Sequence, residues 1–207
     1  MQESFIGAWE QQGSQLSGAS LHSLRDLNHR FLELAATAQR DWACGGGFSA
    51  SIAGRVAPLS STQRAAAANC PYALFDLRFY DAAHWRERLQ NARRWRVEDA
   101  QGMDAATVEF VRSALFYAWH IAAVAGLTAQ LLLEMSAETA EAFRAATVNS
   151  LPSLAATEAA CLTARWSDCD VYWSALVDAA SAGNPAVLRR VQLHGLQLAA
   201  ASRLPYC

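Results

Sequence analysis

The sequence predicts an all-α protein, a multi-helix bundle around a central apolar helix, with a helix-turn-helix-like segment in its second half. Hydrophobic residues make up 53% of the 207 residues and charged residues 17%, which is enough apolar material for one sizeable core or two small ones. Apolar residues recur at helical spacing along most of the chain, and a Ser, Thr, Asp or Asn precedes most of these segments. We expect an N-terminal helical region over 1–100 with an arginine-rich segment and a C-terminal helical region over 101–207, or one continuous domain.

The N-terminal region contains a predicted amphipathic helix over residues 20–41. Its apolar face is formed by Leu21, Leu24, Leu27, Phe31 and Leu34. Three consecutive glycines at 45–47 are expected to end it, and they do not match a phosphate-binding loop because no strand precedes them and no Gly-Lys-Ser/Thr follows. Ser60 or Ser61 can cap the next helix, which Pro71 ends.

The middle of the chain contains one segment of ambiguous secondary structure and one long apolar helix. Residues 72–80, YALFDLRFY, are compatible with either a helix or a short strand because apolar and polar residues alternate there. Asp81 then caps a further helix, and Asp104 caps a long helix that is apolar nearly all round, as expected of a central or interface helix. The 21 uncharged residues from Ser113 to Leu133 do not predict a membrane span, since polar side chains and the turn AGLT interrupt them.

Several shorter helices with strong start signals are predicted in the C-terminal region. Their expected caps or first residues are Ser136, Thr147 or Ser150, Ser167 or Asp168, and Asn184 followed by Pro185. No repeat at a fixed period is visible, so a solenoid is not expected.

Charge and cysteine content argue against several classes of protein. The formal net charge is −2 and the pI is about 6.2, so affinity for nucleic acid must come from a local patch or a partner. The N-terminal sequence lacks the cationic and apolar parts of a signal peptide, which predicts a cytoplasmic protein. Five cysteines without a C-x-x-C pair indicate reduced thiols, and we expect no disulfide frame, no metal site and no cofactor.

Local signatures of catalysis are missing from the sequence. The chain lacks G-x-S-x-G, H-E-x-x-H and the glycine pattern of dinucleotide-binding proteins, and its five histidines are scattered. The aromatic residues Phe116, Tyr117 and Trp119 could line a small-ligand pocket, but such residues more often belong to the core. The sequence therefore predicts no catalytic residues and a protein that is not an enzyme.

An arginine cluster is the strongest candidate for contact with DNA. Its members, which lie beside Trp85 and Trp95, are Arg86, Arg88, Arg93, Arg94 and Arg96. Guanidinium groups can bind phosphates and tryptophan can stack on bases, so the cluster could position the protein on DNA. The alternative is a solvated helix face on which the arginines pair with Glu87, Glu98 and Asp99.

The order of motifs over residues 131–166 carries a resemblance to a known family. An apolar LLLEM leads to the Ser-capped SAETAEAFRAAT, and LPSLAATEAACLTARW follows. This order is similar to that of the FlhD family of flagellar transcription regulators, in which a helix, a Thr-Leu-Pro turn, an L-A-x-T-like segment and an Arg-aromatic pair succeed one another. The matching positions are Met135, Ala140, Thr147, Leu151, Pro152, Leu154, Ala155, Thr157, Arg165 and Trp166.

The resemblance implies a helical, oligomerising transcription regulator that holds DNA with the help of a partner. Under this hypothesis residues 128–166 form the helix-turn-helix-like unit, Arg144 and Arg165 lie nearest to DNA phosphates, and the protein is a homo-oligomer. The alternative is a helical adaptor that acts by protein contact without binding DNA, using the long apolar helix and the alanine-rich terminal helices as its interface. Neither hypothesis involves a membrane.

Overall fold

The described residues form helices and one short two-stranded sheet in the computed structural model. The structure describes residues 3–37, 50–92 and 104–201, with side chains from residue 18 in the first range and from residue 52 in the second. The helices are α1 Glu3–Thr37, α2 Ala50–Val56, α3 Ser61–Ala68, α4 Ala82–Asn91, α5 Ala105–Val124, α6 Gly126–Leu133, α7 Ala137–Ala145, α8 Leu151–Glu158, α9 Asp170–Ser181 and α10 Pro185–Ala201. The strands are β1 Phe75–Asp76 and β2 Thr163–Ala164. The predicted all-α bundle is confirmed, and no helix among the described residues is long and apolar enough to cross a membrane.

Side-chain caps begin several helices at the predicted residues. The side chains of Asp81, Asp104 and Ser136 each accept a hydrogen bond from the main-chain N–H three residues later, at 3.0 to 3.2 Å. Ser60 and Gln63 form a capping box at the start of α3. Each such cap stabilises a helix by about 1 kcal/mol, so these short helices have well-defined starts.

Two of the predicted helix starts are wrong. Helix α1 begins at Glu3 and not at residue 20, because no proline interrupts the upstream residues and extending a helix is easier than nucleating a new one. Helix α9 follows Cys169, which makes no side-chain cap, so neither Ser167 nor Asp168 caps it. The glycine run that we expect to end α1 lies outside the described residues.

Helix α5 is the central helix that the sequence predicts. It packs on α1 and α6, and also on α7 and α8, which follow one another in the FlhD-like segment. One face of α5, which includes Phe110, Ala114 and Ile121, is fully buried. Because α7 and α8 both rest on α5, the core and not a free surface fixes the geometry of this segment.

Residues 72–80 contain a very short strand and no helix. Only Phe75 and Asp76 pair as a strand, while the large apolar side chains around them are almost completely buried. Asn28 of α1 fixes the start of this segment, since its side chain donates to Tyr72 O at 2.8 Å and accepts from Leu74 N at 2.8 Å. The hydrogen bonds of the Asn28 side chain therefore hold the start of this segment, where a longer strand would form main-chain hydrogen bonds to a neighbouring strand.

A helix–strand–helix unit occurs twice among the described residues, as α3–β1–α4 and as α8–β2–α9. The two strands pair antiparallel with Phe75 opposite Ala164 and Asp76 opposite Thr163. Thr163 lies 88 positions after Phe75 and Ala164 lies 88 positions after Asp76, so exchanging the two copies reproduces the same pairing. The two paired strands are thus related by a local two-fold axis through the sheet.

Side-chain details repeat with the same spacing of 88 positions. Trp85 donates its indole N–H to Leu77 O at 3.1 Å, and Trp173 donates to Arg165 O at 2.9 Å. Arg78 and Trp166, again 88 positions apart, both adopt the left-handed backbone conformation, with φ of 57° and 51°. This two-copy relation is not the fixed-period repeat of a solenoid, and sequence inspection missed it because most equivalent positions hold different residues, Trp85 and Trp173 being an exception.

Both predicted regions contribute to one hydrophobic core. The core extends from Leu24 in α1 to Val191 in α10 and includes residues on either side of the boundary near residue 100. The paired strands and the packing of α4 on α7 and of α3 on α9 also join the two regions. The described residues of 1–100 and 101–207 therefore share one hydrophobic core.

Candidate functional site

The structure separates the arginines that the sequence analysis grouped as DNA-binding candidates. Arg86 is exposed on α4, whereas Arg88, two residues later, points to the buried carboxylate of Glu158. Arg144 is exposed on α7 and pairs with Glu141 of the same helix. Arg93, Arg94 and Arg96 lie outside the described residues.

Arg165 is placed in the core, which is at odds with its predicted contact to phosphate. Its side chain is only 4% exposed, and it pairs with Glu134 at 2.5 Å. The guanidinium carbon lies 4.6 Å from the ring centroid of Trp166, a cation–π arrangement. Burial lowers the pKa of Arg165, and the nearby carboxylate of Glu134 opposes that effect. The residue therefore stabilises the fold at the sheet and presents no free charge to DNA.

Glu158 is the centre of a second charged cluster, built from both helix–strand–helix units. Its carboxylate is 0% exposed although it sits at the end of an otherwise apolar helix. Oε2 lies 2.7 Å from Nε2 of His84, and Oε1 lies 2.9 Å from Nε of Arg88. A carboxylate without water needs such partners, because an unpaired buried charge costs several kcal/mol.

Cys161 completes this cluster, which we call the Glu158 cluster: His84, Arg88, Glu158 and Cys161. The thiol belongs to the 3-10 turn Ala159–Cys161 that directly follows α8, and it is half-buried. Burial raises the pKa of the Cys161 thiol, and the negative charge of Glu158 adds to that effect. The cluster therefore brings an imidazole, a carboxylate and a thiol together at the junction of the two units.

The equivalent place in the other unit is neutral. The residue 88 positions before Glu158 is Cys70, the residue 88 positions after His84 is Tyr172, and Leu176 corresponds to Arg88. Burial raises the pKa of the Cys70 thiol to about 12, so it carries a proton at neutral pH. Tyr172 donates or accepts a hydrogen bond with Tyr72 at 2.9 Å between the hydroxyl oxygens. The same fold position is thus filled without charges, so the Glu158 cluster is not a requirement of the architecture.

An exposed apolar stripe on the α5–α6 corner is the second candidate site. It consists of Val124, Leu127 and Leu131, whose exposed fractions are 46%, 76% and 60%. Leu127 and Leu131 lie one turn apart on α6, and Val124 ends α5 just before the non-helical residue Ala125. A groove of about 500 Å³ beside the stripe runs between α6 and α7, with Glu138 and Glu141 at its edge.

The aromatic residues considered as a small-ligand pocket serve packing instead. Tyr117 is 8% exposed and donates its hydroxyl to Ser20 O at 3.0 Å. Trp119 donates its indole N–H to Ala146 O at 3.0 Å, joining α5 to the end of α7. These hydrogen bonds connect helices and leave no polar group directed at a ligand.

Sequence reasoning missed the Glu158 cluster because its members are distant along the chain. His84 and Glu158 are 74 positions apart, and only the pairing of the two units brings them into contact. One available signal was the lone carboxylate in the apolar segment LPSLAATEAACL, which required a buried partner. Comparisons of the chain with protein-family models, with curated proteins and with solved structures give no match.

Proposed function

We propose that the protein is a helical regulatory subunit that acts by binding another protein, and that its part in transcription control, implied by the FlhD-like motif order, passes through that partner. The observation that carries the proposal is the apolar stripe of Val124, Leu127 and Leu131. Single exposed aliphatic residues are ordinary, but a contiguous stripe beside a groove is typical of a protein-binding surface. Fully burying one leucine contributes about 1.5–3 kcal/mol, so two of them contribute about 3–6 kcal/mol toward the roughly 8 kcal/mol of a micromolar affinity.

The groove beside the stripe favours one kind of occupant. Small residues form much of its wall, among them Ala123, Gly126 and Ala137, which allows the backbone of a helix to approach closely. Glu138 and Glu141 line the groove together with Arg144, which pairs with Glu141, so the charged side chains of the lining sum to −1. The partner segment that fits is an amphipathic helix with an apolar face and arginine or lysine residues beside it.

The distribution of positive charge supports contact with DNA through the partner and not through this segment. Arg144 is paired with Glu141, Arg165 is buried, and the net charge of the chain is −2. A surface that holds phosphates needs several unpaired cationic side chains. In the described part of residues 128–166, the groove is lined by the two carboxylates of Glu138 and Glu141 and by the one guanidinium of Arg144.

The test uses the full chain and two synthetic helical peptides that share one leucine stripe. One peptide carries arginine beside the stripe and the other carries glutamate at the same positions. We expect fluorescence anisotropy to give micromolar binding of the arginine peptide and binding at least about tenfold weaker for the glutamate peptide. Equal affinity for both peptides, or none, would contradict the proposed occupant.

Matched variants locate the binding surface. Leu127→Gln together with Leu131→Gln is expected to weaken binding of the arginine peptide by about tenfold or more, since apolar burial is lost. Val171→Gln is the control, because Val171 is 75% exposed but lies on α9 and not on the stripe. Equal loss in both variants would show that the peptide does not bind at the stripe.

Two further measurements separate the proposal from its competitors. Light scattering after size-exclusion chromatography detects whether a second copy of the chain occupies the stripe, in which case the double glutamine variant becomes monomeric. Anisotropy with a labelled DNA duplex detects direct binding. Strong binding by the chain alone, with a steep salt dependence, would replace the indirect role with a direct one.

A further inference from the structure

The Glu158 cluster contains a set of metal-ligand atoms. Nε2 or Nδ1 of His84, a carboxylate oxygen of Glu158 and Sγ of Cys161 all lie within 4.8 Å of one another. Imidazole nitrogen, carboxylate oxygen and thiolate sulfur are the donors that Zn²⁺ binds at about 2.0 to 2.3 Å. A mixed set of this kind selects zinc-class ions and not Mg²⁺ or Ca²⁺, which take oxygen ligands. We propose that His84, Glu158 and Cys161 bind a divalent transition-metal ion of the zinc class.

The fold holds these three side chains in place before any ion binds. Glu158 ends α8 and Cys161 ends the 3-10 turn that continues it, so a spacing of three puts both on one side of a continuous helical turn. His84 lies in the first turn of α4, and its main-chain N–H is fixed by the cap Asp81 at 3.0 Å. The ion would therefore join the two helix–strand–helix units directly.

The ion would take the place of the proton between His84 and Glu158. Nε2 of His84 and Oε2 of Glu158 lie 2.7 Å apart, and Arg88 occupies only the other carboxylate oxygen. On binding, the hydrogen between Nε2 of His84 and the carboxylate exchanges into solvent, and His84 coordinates as a neutral imidazole with its proton on Nδ1. The Cys161 thiol also releases its proton to solvent as the sulfur–metal bond forms. The two positive charges of the ion then face the carboxylate and the thiolate, while the guanidinium of Arg88 stays paired with Glu158.

Two observations distinguish this cluster from an ordinary buried ion pair. It is the one group of three candidate ligands found among the residues that the structure describes. In the other unit the positions equivalent to His84, Glu158 and Cys161 hold Tyr172, Cys70 and Ala73, which cannot form such a set. The half-buried Cys161 also gives an ion access from solvent, which the fully buried Glu158 alone would not.

Cobalt spectroscopy of the full chain tests the proposal. The chelator-treated protein is titrated with Co²⁺, and we expect a thiolate-to-metal band in the near ultraviolet together with visible bands of a four-coordinate ion. Both should saturate at one equivalent and disappear when Zn²⁺ is added. Absence of the thiolate band in the wild-type protein would overturn the proposal.

Matched cysteine variants assign the sulfur ligand. Cys161→Ser is expected to lose the thiolate band, and Cys169→Ser should keep it, because Cys169 is similarly half-buried but lies outside the cluster. His84→Gln should lose most of the affinity for Co²⁺. A band that persists in Cys161→Ser would show that another cysteine is the ligand and would overturn the assignment.

A thermal measurement separates loss of binding from loss of folding. Each variant is first melted without metal, and a Cys161→Ser protein that unfolds like the wild type is competent for the comparison. Zn²⁺ is then expected to raise the Tm of the wild type and of Cys169→Ser in a concentration-dependent way, and to leave Cys161→Ser unchanged. If Cys161→Ser does not fold, Cys161→Ala is used with the same criterion, and an equal Tm increase in either variant would contradict the proposal.

Discussion

Trp85 and Trp173 make the same hydrogen bond in the two helix–strand–helix units. Each indole N–H donates to the carbonyl oxygen eight positions earlier, at 3.1 Å to Leu77 and at 2.9 Å to Arg165. Both side chains are almost fully buried, at 0% and 1% exposure. Each tryptophan thus fixes the return of the chain from its strand to the helix that follows, and the fold depends on both.

Replacing either tryptophan should therefore have a similar effect on stability. We expect Trp85→Phe and Trp173→Phe each to lower the free energy of unfolding by about 1–3 kcal/mol, because a buried carbonyl loses its donor and the smaller ring leaves a void. Urea unfolding followed by circular dichroism measures the change. If one substitution leaves the free energy of unfolding unchanged while the other lowers it strongly, the two tryptophans contribute unequally to stability and the prediction is wrong.

Replacing the charged residues of the Glu158 cluster with the neutral residues at the equivalent positions of the other unit should preserve the stability of the protein. In metal-free protein, Glu158→Gln is expected to cost about 3 kcal/mol, because the guanidinium of Arg88 loses its ionic partner. The triple variant Glu158→Cys, His84→Tyr and Arg88→Leu should return to within about 1 kcal/mol of the wild type, since it copies Cys70, Tyr172 and Leu176. Urea midpoints compare the three proteins, and a triple variant as unstable as Glu158→Gln would refute the equivalence.

Two arginines of the FlhD-like segment should differ sharply in their effect on folding. Arg165→Met is expected to destabilise the protein by about 3 kcal/mol, because the buried guanidinium's ion pair with Glu134 and its hydrogen bond to Ala73 O are both lost. Arg144→Gln should change stability by less than about 0.5 kcal/mol, since its ion pair is solvent-exposed. Chemical denaturation of both variants provides the comparison. A large effect of Arg144→Gln would show that this residue takes part in an interaction beyond its pair with Glu141.

Gly195 is expected to tolerate no larger residue, because α10 crosses closely over Tyr72. A Cβ atom at Gly195 would lie 1.9 Å from the Tyr72 hydroxyl oxygen, which is buried and bonded to Tyr172. Gly195→Ala should therefore cost about 1–3 kcal/mol despite the better helix propensity of alanine. Gly54→Ala is the matched control in α2, where no atom lies within 4 Å of the added carbon, and it should gain about 0.5–1 kcal/mol. Thermal melts of the two variants should shift in opposite directions.

The described cysteines should react with thiol reagents in a fixed order. Cys70 should stay unlabelled in the native protein at pH 8, because burial raises its thiol pKa to about 12, whereas the half-buried Cys161 and Cys169 should be labelled. Peptide mass spectrometry after timed alkylation gives the three rates. Labelling of Cys70 at the rate seen in denatured protein would contradict its placement.

The raised pKa of the Cys70 thiol also predicts how the stability of the protein changes at alkaline pH. The pKa of Cys70 rises from an ordinary value of 9.0 to about 12 on folding, so between these values the native state holds a proton that the unfolded state has released. The contribution of this thiol to stability is therefore complete below pH 9 and falls as the pH rises toward 12. Cys70→Ala should unfold with a weaker pH dependence over that interval than the wild type.

Local sequence signals predicted the helices, and they did so through two physical effects. The caps Asp81, Asp104 and Ser136 satisfy main-chain N–H groups within three residues, so their effect needs no distant partner. The apolar character of α5 on nearly all sides required a central position, which the structure confirms. The start of α9 was mispredicted because Ser167 and Asp168 are good caps locally, whereas the turn after β2 sets where the helix begins.

The all-α class, the central helix and most helix starts could be predicted from the sequence, because they depend on residue spacing and on contacts between near neighbours. Only the tertiary structure decided which charges are buried. Arg165 and Glu134 meet beside the sheet, and His84 reaches Glu158 across 74 positions of chain, only because β1 and β2 pair about a two-fold axis. The sequence does not distinguish a buried arginine or glutamate from an exposed one, because the packing of distant segments determines which partner each side chain has.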